Sequence, residues 1–205
     1  VTIKNMKLDI KDEILRNQDK ILSYIDIESV DVYRFLKNEY KKGPINDNAV
    51  FQFVFRSYYR LDNAGLGDGL KKKFFELMVD KQDNLKKILL ELYRIPTLRN
   101  LSTVQFSFAT KLLHTLDSNN PIFDSEVSDV IHKKVSGKNK EEKIESCLRI
   151  YESLKSTYVT LLQDEQIVKV ILKFREKFKV NKSDVPDMKV LDFIVWSLGK
   201  LIKRK

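Results

Sequence analysis

Side chains suited to nucleophilic catalysis are scarce in this chain. Its 205 residues include two histidines, His114 and His132, and one cysteine, Cys147. None of the three lies in a recognisable nucleophile elbow or triad sequence. Cys147 falls on the apolar stripe of a predicted helix, where core packing is the simpler explanation, and His114 falls within a predicted apolar helix. Carboxylates therefore remain as the candidates for acid-base chemistry.

One carboxylate stands out by its local sequence. Asp124 lies in the segment Pro121-Ile-Phe-Asp-Ser-Glu-Val127, after a polar bend and directly before a short predicted helix that runs through His132. The donors of a helix N-terminus favour the ionised form of a carboxylate at this position. An ionised carboxylate can stabilise positive charge that develops on a substrate. Asp124 also has a purely structural explanation, because aspartate is among the preferred N-cap residues.

The order of these elements resembles the helix-hairpin-helix DNA glycosylase superfamily. Its members carry a helix, a loop and a Pro-x-x-Asp-Ser/Thr-x-Val element that opens the next helix, and residues 121–127 match that element within a resemblance that covers residues 95–131. The resemblance implies that Asp124 is the catalytic carboxylate, that DNA is the partner and that a base is removed from its sugar. Such a carboxylate would stabilise the positive charge on the sugar of an extruded nucleotide.

Two further features of the family differ at the corresponding positions of this chain. A glycine-containing hairpin of the Leu-Pro-Gly-Val-Gly type grips DNA in the family, and it corresponds here to residues 99–105, which contain no glycine. By position, Ser102 and Thr103 are the predicted nucleic-acid contacts. Bifunctional members place a Schiff-base lysine where this chain has Phe106 or the next residue, and Lys111 lies more than one turn further along. The resemblance therefore implies a monofunctional glycosylase.

Aromatic side chains that could sandwich an unstacked base are concentrated in residues 51–60. The only tryptophan lies far along the chain, and Asp192 in the same segment could wall a pocket with it. Core packing is the alternative explanation for every one of these aromatic residues. The predicted substrate contacts are Phe51, Phe55, Tyr58, Tyr59 and Trp196.

The charge balance is compatible with a polyanionic partner. Lys and Arg number 38 against 29 Asp and Glu, which gives a net charge of +9 and a pI near 9.4. Among the basic clusters, Lys133 and Lys134 are the predicted DNA-backbone contacts. Ordinary solvated helix faces are the alternative, because lysine-rich exteriors are common.

The elements that must position these residues are helices. Few prolines and glycines interrupt the chain, and helical stripes recur at Leu85–Tyr93, Phe108–Leu116 and Ile144–Leu161. We expect an all-α bundle of nine or ten helices, folded as a single domain over residues 1–205, with two lobes as the alternative arrangement. Residues 49–61 are apolar on nearly every face and predict the central buried helix, with a strand as the alternative.

Two segments predict element boundaries. Ser102-Thr-Val-Gln105 has the Ser-x-x-Gln form of a capping box and predicts a helix that starts at Ser102. Residues 63–69 hold Gly65, Gly67 and Gly69 and predict a turn between helices. A phosphate-binding loop is the alternative for this turn, although no Gly-Lys-Ser/Thr follows.

Several classes of protein are excluded by composition. No apolar run approaches the roughly 18–20 residues of a membrane span, and the first residues lack the apolar core of a secretory signal. One cysteine cannot form an intramolecular disulfide, which favours a cytoplasmic location. The histidines and cysteine do not have zinc-site spacing, so we expect neither a metal nor a cofactor.

Two functions follow from these observations. The first is a nucleic-acid-binding protein of helix-hairpin-helix glycosylase architecture that removes a base through Asp124. The second is a non-catalytic helical interaction or regulatory module, in which Asp124 is an N-cap and the aromatic residues pack in the core. An open pocket that brings Asp124 beside aromatic rings and basic side chains would favour the first.

Overall fold

Ten α-helices build the described part of the chain. The computed structural model describes residues 3–62 and 65–203, so Asn63 and Ala64 of the predicted glycine turn lie outside the described residues. Helices make up 70% of the chain and no strand occurs in the described ranges, which confirms the all-α prediction. The helices are α1 Ile3–Tyr24, α2 Ile27–Lys42, α3 Ala49–Tyr58, α4 Asp68–Val79, α5 Leu85–Tyr93, α6 Phe106–Leu116, α7 Ser125–Ile131, α8 Lys140–Leu162, α9 Glu165–Phe178 and α10 Asp187–Ile202.

Helix α10 runs through the centre of the hydrophobic core. All of its residues from Met188 to Val195 are buried, and it packs against α1, α7, α8 and α9. A helix that is apolar around most of its circumference is stable only where other helices surround it. One hydrophobic cluster takes buried side chains from all ten helices. In the described ranges, no helix combines the length and the apolar character needed to cross a membrane.

Helix α3 is a helix, as predicted for residues 49–61, but its predicted central position is wrong. Phe51 and Phe55 are fully buried, whereas Val50 is 64% exposed and Phe53 is 62% exposed. Only one face of α3 packs, against α2 and against aromatic rings of α4. The apolar side chains on the other face are left at the surface.

The predicted helix start at Ser102 is also wrong. Helix α6 begins at Phe106, and residues 101–105 are not helical. A capping box requires the Gln105 side chain to reach back to the backbone N–H of Ser102. Instead, Gln105 Nε2 donates to Thr103 Oγ1 at 2.6 Å, so the local side chains stabilise a non-helical segment before the helix.

The connection between α6 and α7 is held against α6 by hydrogen bonds. The backbone N–H of Phe123 donates to Thr110 Oγ1 at 3.0 Å, and Thr110 is fully buried. His114 Nδ1 lies 2.7 Å from the carbonyl oxygen of Asn120, which can only accept, so Nδ1 carries the proton. These contacts fix the chain directly before Asp124, where the predicted short helix α7 begins.

Candidate functional site

A cavity of about 640 Å³ is lined by residues of α3, α6, α7 and α10 and by the turn between α1 and α2. Its volume lies within the range of small-molecule sites, about 300–1,000 Å³. Four of the predicted site residues meet there, namely Asp124, Tyr58, Tyr59 and Trp196. They come from three distant parts of the sequence, so the fold, not chain proximity, brings them together.

The two remaining aromatic residues of the predicted substrate set lie elsewhere. Phe51 and Phe55 have no exposed surface and do not line the cavity. Their rings pack against each other and against the rings of Phe74 and Phe75 on α4. Core packing, the alternative explanation, accounts for these two residues, and their assignment as substrate contacts is corrected.

The predicted nucleic-acid contacts do not line the cavity either. Ser102 and Thr103 are exposed in the segment before α6. Lys133 is half-buried and its Nζ donates to Ser153 Oγ at 2.8 Å, whereas Lys134 is exposed. Contact of these four residues with DNA stays a prediction for the outer surface.

Asp124 caps helix α7 and faces the cavity. Its Oδ1 accepts a hydrogen bond from the backbone N–H of Val127 at 3.0 Å. Burial nevertheless raises the pKa of the Asp124 carboxyl to about 6, against the opposing effects of the Val127 N–H and of Lys111. The helix N-terminus favours the ionised form, as expected, but loss of solvent outweighs this hydrogen bond. A carboxyl of this pKa can exchange a proton near neutral pH.

Lys111 on α6 is a second ionisable group in the same cavity. Its side chain is buried, its Nζ donates to the carbonyl oxygen of Tyr59 at 3.2 Å, and the Nζ lies 4.9 Å from the ring centroid of Phe108. No carboxylate of the described residues lies within ion-pair distance of it. Burial lowers the pKa of Lys111, and the charge of Asp124 acts in the opposite direction.

A buried ion pair lies in the part of the cavity lining that α10 supplies. Lys189 Nζ and Asp192 Oδ2 are 2.7 Å apart, with only 4% and 7% of the two side chains exposed. The Lys189 ammonium also lies over the rings of Tyr33 and Phe193, at 5.2 and 4.5 Å from their centroids. Burial alone would lower the pKa of Lys189, but the Asp192 carboxylate and the neighbouring Tyr59 raise it above its usual range. The opposite charges of Lys189 and Asp192 therefore compensate each other inside the protein.

The rim of the cavity carries a second carboxylate that is paired with lysine side chains. Glu126 Oε1 lies 3.3 Å from the Nζ atoms of both Lys200 and Lys203. Partial burial opposes ionisation of Glu126, but the Ser125 hydroxyl and the two lysines outweigh it and lower its pKa to about 2. Lys200 also lies 4.9 Å from the ring centroid of Trp196, which attaches the tryptophan to this rim.

The arrangement offers aromatic walls and two ionisable groups that lack a strong partner. Tyr58 and Trp196 supply ring surface, and burial raises the pKa of Tyr58 well above its usual value, so its hydroxyl stays protonated. Asp124 and Lys111 supply a proton acceptor and a cation. Within the part of the chain that the structure describes, no three His, Cys, Asp or Glu side chains are grouped to hold a metal ion.

Sequence reasoning missed Lys111 and Lys189 as members of this site. Each lies in a mostly apolar stretch of its helix, residues 108–113 around Lys111 and residues 188–193 around Lys189. A lysine in such a position must be paired or must line a cavity. That pattern was the signal that could have found them.

Comparison of the chain with protein-family models, with curated proteins and with solved structures finds no match.

Proposed function

We propose that this protein binds nucleic acid and hydrolyses the N-glycosidic bond of an extruded nucleotide, with Asp124 as the catalytic carboxylate. One observation carries the proposal. Asp124 lines a cavity of about 640 Å³ together with the rings of Tyr58 and Trp196 and the ammonium of Lys111. This is the combination that binding a planar base and cleaving its bond to the sugar requires.

The aromatic walls would hold the base. Enzymes that act on a base extrude it from the stack and hold it between aromatic or apolar side chains. Tyr58 and Trp196 lie at the cavity on different helices, α3 and α10, and each offers ring surface to a base. Tyr59 contributes mainly its backbone carbonyl, which accepts the hydrogen bond from Lys111.

Asp124 would supply the chemistry at the sugar. With a pKa of about 6, it is mostly ionised at neutral pH and can still accept a proton. As the bond from C1′ to the base nitrogen breaks, the carboxylate stabilises the positive charge on the sugar and takes a proton from the attacking water. The water oxygen forms the new bond to C1′, and the electron pair of the broken bond leaves with the base.

Basic side chains around the opening would contact phosphates. Arg60 lines the cavity and is exposed, and in the described part of the chain it forms no ion pair with a carboxylate. A guanidinium in this state is available for a phosphate oxygen. The net charge of +9 would strengthen binding to any polyanion.

The test compares wild type with Asp124→Asn on DNA duplexes that carry alkylated, oxidised or deaminated bases. Released abasic sites are revealed by alkali, and thermal denaturation is followed in parallel. We expect the wild type to release a base and Asp124→Asn to lose at least about a hundredfold in rate while staying folded, because asparagine caps as well as aspartate but carries no charge. The matched control is Asp164→Asn, since Asp164 caps α9 and lies outside the cavity.

Two outcomes would contradict the proposal. Release of no base from any substrate by the wild type would leave Asp124 as an N-cap and would favour the non-catalytic interaction module. A borohydride-trapped covalent adduct would contradict the hydrolytic step, because Phe106 stands where bifunctional glycosylases have a lysine. Strand cleavage should therefore appear only after alkali.

A further inference from the structure

Two buried lysines line the same cavity, but of the two only Lys189 forms an ion pair in the described residues. Lys189 is 2.7 Å from the Asp192 carboxylate, so its charge is compensated inside the protein. Lys111 has only the carbonyl oxygen of Tyr59 as a hydrogen-bond acceptor in the described residues, at 3.2 Å. An ammonium carries three donors, so two N–H groups of Lys111 are left for another acceptor. Burying a cation without a counter-charge is costly, and a ligand oxygen would reduce that cost.

Lys111 and Asp124 are held in a fixed relation to each other. Thr110, directly before Lys111, accepts the hydrogen bond from the backbone N–H of Phe123, directly before Asp124. The Lys111 ammonium is restrained further by the Tyr59 carbonyl and by the ring of Phe108 at 4.9 Å. These contacts therefore restrain the Asp124 carboxylate and the Lys111 ammonium in the lining of the cavity.

Two of the other carboxylates that line this cavity have a lysine partner, whereas Asp26, which also lines it, is exposed to solvent. Lys189 compensates Asp192, and Lys200 compensates Glu126. Asp124 and Lys111 also line the cavity, and neither forms an ion pair within the described residues. Cleavage of an N-glycosidic bond moves negative charge from the carboxylate and water towards the base, and a cation in the same cavity can stabilise that charge.

We propose that Lys111 binds the carbonyl oxygen of the base, so that this cavity takes oxo-bases such as uracil or hypoxanthine in preference to adenine. This inference rests on the proposed function and names its substrate class. A carbonyl conjugated with the glycosidic nitrogen carries the negative charge of the departing base, and the Lys111 N–H groups donate to that oxygen. Adenine has no carbonyl oxygen and carries an amino donor where hypoxanthine has its oxygen, so the Lys111 ammonium would face another donor at that position.

The step is balanced without a further reactant. The oxygen of water forms a bond to C1′, the C1′–N bond breaks, and one water proton passes to Asp124. The electron pair goes to the base, whose carbonyl oxygen is stabilised by Lys111. The proton held by Asp124 then returns to the base through solvent. The products are the neutral free base and a sugar with a hydroxyl group at C1′.

The test measures binding of the free bases uracil and adenine by titration calorimetry, without any cleavage. Fluorescence of Trp196, the single tryptophan, reports whether the ligand enters this cavity. We expect uracil to bind the wild type at least about tenfold more tightly than adenine. Lys111→Met should lose about tenfold to a hundredfold in affinity for uracil and keep its affinity for adenine. Lys111→Gln, which keeps N–H donors without the charge, should fall between the two.

The matched control is Lys155→Met. Lys155 lies 4.9 Å from the ring centroid of Tyr151 but does not line the cavity, so its loss removes a comparable cation-ring contact elsewhere. It should leave both affinities unchanged. Thermal denaturation shows whether each variant is folded, and methionine in place of a buried cation is expected to be tolerated.

Three results would overturn the inference. They are no binding of uracil by the wild type, equal affinity of the wild type for uracil and adenine, and an equal loss of affinity for the two bases in Lys111→Met. The proposed function fails separately. If no DNA substrate releases a base but uracil still binds through Lys111, the cavity is an oxo-heterocycle site without catalysis. If uracil is released from DNA as fast by Lys111→Met as by wild type, only the assignment to Lys111 fails.

Discussion

Gly199 on α10 lies so close to α7 that a Cβ atom at this position would stand 2.5 Å from the carbonyl oxygen of Glu126. Real Cβ atoms do not approach backbone oxygen so closely, so the glycine permits this crossing of the two helices. Helix α7 begins one residue after Asp124. The missing side chain of Gly199 therefore helps to set the position of the candidate catalytic carboxylate.

Gly199→Ala should destabilise the protein even though alanine favours helix. The added methyl group must push α7 and α10 apart, which we expect to cost about 1–3 kcal/mol of unfolding free energy. Denaturant unfolding measures this change. Gly69→Ala is the control, because its Cβ would meet its nearest atom at 3.7 Å and alanine suits a helix. Equal stability changes in the two variants would show that the close approach does not constrain the fold.

Asp124→Asn should raise stability at pH 7 and have little effect at pH 4. Burial raises the pKa of Asp124 from 3.8 to about 6, so between these values the folded protein binds a proton that the unfolded chain does not. The contribution of this group to stability is full below about pH 4 and is lost as pH rises through 6. Asparagine does not titrate, so the difference at pH 7 should be on the order of 3 kcal/mol in favour of the variant, from a shift of about 2 pKa units.

Thermal denaturation of both proteins from pH 4 to pH 8 checks this dependence. The gap between the two curves should open between pH 4 and pH 6 and then stay constant. Asp124→Asn removes only the charge, whereas Asp124→Ala removes the charge and the N-cap, so comparing the two variants isolates the cap. Loss of the cap should cost about 0.5–2 kcal/mol of unfolding free energy. A variant Asp124→Asn that is less stable than wild type at every pH would show that the carboxylate is not destabilised by burial.

Asp192→Asn should destabilise the protein strongly. It leaves Lys189 buried without its counter-charge, and breaking a buried pair in this way costs about 3–5 kcal/mol. The double variant Lys189→Met with Asp192→Leu removes both charges and should recover most of that loss. Unfolding in denaturant measures all three proteins.

An exposed ion pair provides the comparison for this prediction. Lys86 and Glu145 lie 3.3 Å apart, with 55% and 50% of their side chains exposed. Glu145→Gln should change stability by less than about 1 kcal/mol, because solvent screens such pairs. If Asp192→Asn were as mild as Glu145→Gln, water would have to reach the buried pair.

Replacement of Lys133 and Lys134 by Glu should weaken DNA binding without changing sequence preference. Clustered lysines neutralise phosphates and release counterions, but they do not read bases. Titration of labelled duplexes at several salt concentrations should give a shallower salt dependence for the variant. Single replacements should differ, since Lys133 is bonded to Ser153 and Lys134 is exposed. Binding that is absent at low salt, or unchanged by the replacements, would favour the interaction-module alternative.

Helices with regular stripes could be predicted from the sequence. The predicted bounds of α5, Leu85–Tyr93, are those observed, and α8 ends within one residue of its prediction. Asp124 was identified as an N-cap because the pattern is local, with a cap side chain three residues before the N–H that it accepts from. Each of these features depends only on residues within one or two turns.

Features that depend on distant packing could not be predicted in this way. Phe53 has the same residue type as Phe51 and Phe55, but it lies on the face of α3 that points away from α2 and α4. The high pKa of Asp124 arises from burial by other helices, which the local cap pattern does not contain. Lys111 joins the site because the chain after α3 passes over it and supplies a carbonyl acceptor.

The hydrogen bond from the Phe123 N–H to buried Thr110 Oγ1 ties a non-helical segment to α6. Exchange of the Phe123 amide with solvent deuterium should therefore be slow, at a rate set by opening of the core and not by local loop motion. The wall of the cavity that carries Asp124 would then behave as part of the slowest-exchanging unit of the protein. A ligand that needs a wider entrance would have to gain it from another part of the lining, such as the segment after α3, where Arg60 has a left-handed backbone φ of 58°.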